Sequence, residues 1–190
     1  MPILILGLIL FLGVHSVSIV APGRRDATIA RWGEGRWKGL YALASAAGFV
    51  LLIIGYGLAR QHPIVLYTPP AALRYATLLL MLPVFVLLFA AYFPGRIKSA
   101  TQHPMLVATK LWALAHLLSN GTAADVLLFG GFLVWAAADR LSLKRRPARA
   151  VPGAPPRPAN DAIAIVAGLV LYAAFIYGVH RWLFGVAPLP

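Results

Sequence analysis

Residues Thr101 to Gly121 read TQHPMLVATKLWALAHLLSNG. This is an apolar run of about the length that crosses a bilayer, ~20 residues, yet it carries His103, Lys110 and His116. Ionisable side chains are expensive in hydrocarbon, so an intramembrane histidine or lysine points to a function or an internal partner. Reading outward, the flanking sequence repeats the same apolar pattern. Segments of similar character fall at about 3–20, 37–58, 72–93, 103–119, 124–141 and 161–184. They predict an all-α, polytopic membrane protein with about six spans forming one domain. The fourth and fifth are the shortest, and Ser119-Asn120-Gly121-Thr122 divides them with a turn signal.

Composition agrees. The chain of 190 residues is 61% hydrophobic, with a mean hydropathy of +0.80, more apolar surface than a soluble domain of this size can hide. The net charge of +12 would point a soluble protein toward nucleic acid. Here the basic residues sit between spans, which implies the positive-inside rule and no nucleic-acid partner. With the N-terminus outside, three inner loops hold Arg24, Arg25, Arg31, Arg36 and Lys38; Arg96 and Lys98; and Arg140, Lys144, Arg145, Arg146, Arg149 and Arg157. Arg60, Arg74 and Arg181 remain outside, and Lys110 lies within a span. Both termini are then expected outside. The opening MPILILGLILFLG has no basic residues before it and many after it, so a retained first span is expected and not a cleaved leader.

The chain has no cysteine, which excludes disulfides, thiolate ligands and covalent c-type haem attachment. Pro147 to Asn160 is rich in proline and carries Arg149 and Arg157; an extended, mobile inner linker is expected. Asn160-Asp161 is expected to cap the last span. Ala44/Gly48, Ala164/Gly168 and Ala174/Gly178 are pairs of small residues four apart, a spacing that lets helices approach and that is also common in membrane helices without that meaning. Pro83 should kink or loosen the third span.

On a helix, His103 and His116 lie ~20 Å apart along the axis and roughly 140° apart around it, so they cannot grip one metal together. If His116 is an axial ligand, its partner comes from another helix. His15, in LILFLGVHSVSIV, is the best such residue, although by depth His103 is nearer to His15 and His180 nearer to His116. Neutral imidazole is the usual protein ligand for haem iron held between helices. Each histidine has a plainer reading beside this: hydrogen bonding across helices for His15 and His116, helix capping for His103, interfacial anchoring for His180, an exposed loop for His62. Lys110 lies near mid-membrane, where an internal partner or a haem propionate suits it better than snorkelling. Asp125 and Asp139 fall near opposite ends of the fifth span. No phosphate-cradling glycine loop and no nucleophile elbow is present.

Two segments carry a resemblance. One is Gly33-Glu34-Gly35-Arg36-Trp37-Lys38-Gly39-Leu40-Tyr41-Ala42-Leu43-Ala44-Ser45, continuing to Gly55-Tyr56-Gly57; the other is His103-Pro104-Met105, Leu111-Trp112-Ala113-Leu114-Ala115-His116-Leu117-Leu118 and Asn120-Gly121. Together with His15 and the basic stretch after it, they resemble the NnrU family of bacterial membrane proteins. The resemblance implies an inner-membrane protein associated with nitric oxide and denitrification metabolism. The family is similar to the haem b-containing zeta-carotene isomerase, in which histidines hold the haem and polyene isomerisation depends on the iron's redox state. Carried over, this implies haem b on His15 and His116, with His103 in reserve.

Three functions are consistent with these residues: a haem b membrane protein working with nitric oxide or an electron donor, a haem-dependent isomerase acting on a hydrophobic polyene, and a non-catalytic assembly or transport accessory. A conductive channel is the least favoured reading, since no charged ring or carbonyl-rich filter is apparent.

Overall fold

The computed structural model describes residues 1–146, 149 and 151–189. Among these residues the secondary structure is helical, with one isolated bridge between Val65 and Thr122. The helices are α1 (Pro2–Val20), α2 (Pro22–Trp32), α3 (Glu34–Ala59), α4 (Leu73–Tyr92), α5 (Arg96–Thr101), α6 (Pro104–Ser119), α7 (Ala123–Ser142), α8 (Ala159–Ala174) and α9 (His180–Phe184). A π-helical turn, Phe175–Val179, joins the last two into one continuous 26-residue apolar helix, Ala159–Phe184. Each of the six apolar segments is a helix. Four of them, Pro2–Val20, Glu34–Ala59, Leu73–Tyr92 and Ala159–Phe184, are long and apolar enough to cross a membrane, which makes this a multi-pass membrane protein. The helix α6 is shorter, at 16 residues, and α7 carries Asp125, Asp139 and Arg140. The sequence reading did not anticipate α2 or α5. The former is polar and has no buried residue.

The chain forms two compact units. The first comprises Met1–Thr68 and Gly121–Ser142, so it holds α1, α2, α3 and α7. Here α1 packs on α3 and α7, and Leu4, Leu52, Ala59 and Ala124 form the core. Glycine permits the close approach of α1 and α3. A Cβ on Gly55 would lie 2.6 Å from Leu4 Cα, one on Gly48 2.8 Å from Phe11 N, and one on Gly7 2.7 Å from Leu52 N. The loop after α3 returns to the start of α7: Leu66 N and Tyr67 N donate to Gly121 O at 2.8 and 3.1 Å, and Ala123 N donates to Ile64 O at 2.8 Å.

The second unit, Pro69–Asn120 and Leu143–Pro190, packs α4 against α6 and α8 around Val84, Leu87 and Ala108. Helix α4 continues through Pro83. Gly168 abuts Val86, whose Cα would be 2.6 Å from an added Cβ, whereas Gly178 faces open space. Tyr172 Oη donates to Leu78 O at 2.7 Å.

Of the proline-rich linker, Pro147, Ala148 and Ala150 lie outside the described residues. The remainder has no regular secondary structure before residue 158 and is tied to the end of α4: Ala154 N donates to Tyr92 O at 2.8 Å, and Arg157 N to Pro94 O at 3.3 Å. Buried Asn160 donates its side-chain amide to Pro94 O and Pro155 O, both at 2.9 Å. Asp161 does not cap its own helix. Its two oxygens accept from Arg96 N and Ile97 N, at 2.8 and 3.1 Å, and so satisfy the first donors of α5.

Candidate functional site

His15 sits in the last third of α1 and is half-buried. Its Nδ1 lies 2.7 Å from Phe11 O. A carbonyl oxygen only accepts, so Nδ1 carries the proton and the neutral ring's lone pair is on Nε2. Aromatic rings surround the imidazole: Phe11 stacks at 4.2 Å between centroids, Tyr41 lies at 5.3 Å, and Trp135 meets it edge-on at 5.9 Å. Ser45 lies one turn beyond Tyr41, on the same face of α3. Ser45 Oγ and Trp135 Nε1 are both buried without a hydrogen-bond partner among the described residues. An orphaned buried polar atom costs about 1–3 kcal/mol, so each of the two is a position where a partner group is due.

His116 repeats the arrangement in the second unit. Its Nδ1 lies 2.8 Å from Trp112 O, which again sets the lone pair on Nε2. The Trp112 ring is 5.4 Å away, and the Asn120 amide donates to His116 O at 2.9 Å. His103 occupies the N-cap position of α6 without a side-chain cap bond; its carbonyl accepts from Leu106 N and Val107 N. Half-buried Lys110 makes no hydrogen bond or ion pair among the described residues. The second unit therefore holds His103, Lys110 and His116, and the first holds His15. His180, on α9, has Nδ1 2.7 Å from Val186 O, and His62 is exposed in the loop after α3.

Sequence reasoning missed one polar centre. Asp125 is only 4% exposed. Tyr56 Oη donates to its Oδ1 at 2.5 Å, while Thr122 N and Thr122 Oγ1 donate to Oδ2 at 2.9 and 2.6 Å. Asp125 N donates back to Thr122 Oγ1 at 3.3 Å, completing a reciprocal cap at the start of α7. The Thr-Ala-Ala-Asp spacing was the available signal. Nearby Tyr67 has its phenol raised above the ordinary range, first by burial and then by the Asp125 charge.

The NnrU protein family model matches residues 3–188. The chain belongs to the NnrU family. No curated protein and no solved structure matches this NnrU family member, so its chemistry has to be argued from its own residues.

Haem b is the cofactor that the family resemblance implies, and the donors can be tested against it. Among the described residues no group of three or more His, Asp or Glu side chains gathers as a chelating set. Haem brings its own ring nitrogens and would ask the protein only for imidazole. An imidazole with Nδ1–H fixed on a carbonyl and its lone pair on Nε2 is the form that ligates. His15 and His116 both present it, as does His180 through Val186 O, so imidazoles suited to the group are present.

Proposed function

We propose that this NnrU family member is a haem b protein of the bacterial inner membrane that serves nitric oxide or related nitrogen-oxide metabolism. The observation that carries the reading is the shared tautomer of His15 and His116, set in each case by a hydrogen bond to the carbonyl one turn earlier. When bound, haem b would supply one-electron redox chemistry in an apolar site. The residues have separable tasks. Phe11 O and Trp112 O orient the two imidazoles and raise their basicity. Phe11, Tyr41 and Trp135 restrict water around His15. Lys110, a half-buried ammonium, offers a counter-charge to a propionate. His103 stands in reserve as a ligand.

Six crossings with both termini outside complete the proposal, supported by the distribution of lysine and arginine. The isomerase reading draws support from an apolar groove of about 430 Å³ along Leu6, Ile9, Leu10, Gly13, Val14, Val17 and Leu51, which suits a polyene entering from lipid. Feeding a cis-carotene to expressing cells tests it, and an unchanged isomer ratio removes it.

The deciding experiment is the absorption spectrum of detergent-purified protein, oxidised and dithionite-reduced, with haem counted per chain. Near-stoichiometric haem with a Soret band that shifts on reduction is expected. His15→Ala and His116→Ala, made one at a time, should each change the spectrum or lower haem content several-fold. Colourless, folded protein from haem-replete cells would overturn the proposal and make the accessory reading the leading one.

A further inference from the structure

A shallow groove of about 420 Å³ in the first unit is lined by Trp32, Arg36, Gly39, Leu40 and Leu43. Its chemistry is graded. Arg36 lies in the first turn of α3, while Leu40 and Leu43 follow down the same face, ~10 Å along the axis at the far end. The two leucines are 53% and 70% exposed, and α3 is long and apolar enough to cross a membrane. The groove thus runs from a guanidinium at the polar end of a span toward hydrocarbon. Gly33, at φ 83°, ends α2 and begins α3, which sets Trp32 against the groove. Gly39 leaves the floor open, since an added Cβ there meets nothing within 4 Å.

Charge identifies the occupant. Arg25 is paired with Asp26 at 2.9 Å and lies over the Trp37 ring, and Lys38 is paired with Glu34 at 2.9 Å. Arg24, Arg31 and Arg36 make no ion pair among the described residues. The local acids are therefore engaged, and uncompensated guanidinium remains at the polar end of an apolar trough. We propose that this groove is a binding site for an anionic phospholipid of the surrounding bilayer, with the headgroup phosphate on Arg36 and one acyl chain along Gly39, Leu40 and Leu43. Arg24 and Arg31 add to the attractive field at the headgroup level. The planar guanidinium matches phosphate oxygens in a way an ammonium does not, and a neutral polyene would have no use for it.

The test uses the full chain in detergent, given equal amounts of phosphatidylglycerol and phosphatidylcholine, with bound lipid counted by native mass spectrometry. Wild type should retain the anionic lipid in preference. Arg36→Gln should reduce that preference roughly tenfold, the scale of one hydrogen bond to a charged group. Gly39→Leu, which fills the trough without touching packed atoms, should lower retention of both lipids. Equal retention by wild type, or an unchanged preference in Arg36→Gln, overturns the proposal. Displacement of phosphatidylglycerol by millimolar inorganic phosphate would mark a free-anion site and overturns the lipid assignment. Should Arg36→Gln fail to purify, Gly39→Leu decides alone: unchanged lipid retention overturns the proposal and loss supports it. None of these readouts involves haem.

Discussion

At the scale of single residues, Asp125 is the best-determined polar group in the first unit. Its oxygens receive Tyr56 Oη, Thr122 N and Thr122 Oγ1, and it lies in the first turn of α7, where the helix dipole favours negative charge. Tyr56→Phe removes one of the three donors and should lower stability by roughly 1.5–3 kcal/mol, the range for a hydrogen bond to a charged group. Asp125→Ala should cost more, because Tyr56 Oη and Thr122 N both lose their acceptor. Thermal unfolding in detergent, followed by circular dichroism, checks both; a Tyr56→Phe protein as stable as wild type would show the contact to be energetically idle. The local half of this centre is legible in the sequence, since Thr122 and Asp125 stand at capping-box spacing. The other half is not, because Tyr56 is 69 residues away and no local pattern announces that α3 and α7 meet. The histidines divide likewise. His15 and His116 are conspicuous as polar residues in apolar runs, whereas the carbonyls that orient them become apparent only once the helices are built.

At the scale of elements, apolar run length forecast the long helices well, because the bilayer thickness that selects such runs is the same for each. It gave no sight of α2, which is polar, or of α5, which is six residues long. Small-residue spacing was a partial guide. Gly48 and Gly168 do sit under a neighbouring backbone, Gly178 does not, and Gly7 and Gly55 pack as closely without having stood out. Gly55→Ala therefore tests the seam between α1 and α3. The added methyl must push the helices apart, and a loss of about 1–3 kcal/mol is expected for overpacking. Gly57→Ala is the control, since its Cβ meets nothing within 4 Å, and it should leave stability unchanged or slightly raised. Equal melting temperatures for the two variants would remove the seam from the account. In the second unit, Asp161 binds the start of α5 across 65 residues of sequence. Asp161→Ala should expose the amides of Arg96 and Ile97 to faster hydrogen exchange while leaving α8 protected. Unchanged exchange there would show that the α5 turn holds without its cap.

At the scale of the whole molecule, the number of crossings turns on α6 and α7. The basic loops alone do not decide it. If only the four long helices span, the loop of Arg24 to Arg36, the loop of Arg96 and Lys98, and the segment around Lys144 still share one side, and both termini still lie on the other. The two arrangements differ in one place, the turn at Ser119 to Thr122, which is outside with six spans and inside with four. Hydrogen bonds within the first unit bear on this point. Leu66 N and Tyr67 N donate to Gly121 O, and Ala123 N donates to Ile64 O. The loop holding Ile64 to Tyr67 joins α3 to α4 and, with the N-terminus outside as proposed, lies outside in either arrangement. A turn bonded to that loop belongs on the same face, which supports the proposal that α6 and α7 both cross. The absence of cysteine makes the test direct, because any introduced thiol is unique. Asn120→Cys should react with a membrane-impermeant maleimide added to the outside of intact cells, as should Gln61→Cys, while Ser99→Cys should react only after the membrane is opened. Labelling of Gln61→Cys but not Asn120→Cys in intact cells would return α6 and α7 to the inner side and reduce the protein to four crossings. Six crossings would also place Lys110 within the bilayer, where ionisable side chains mark functional positions.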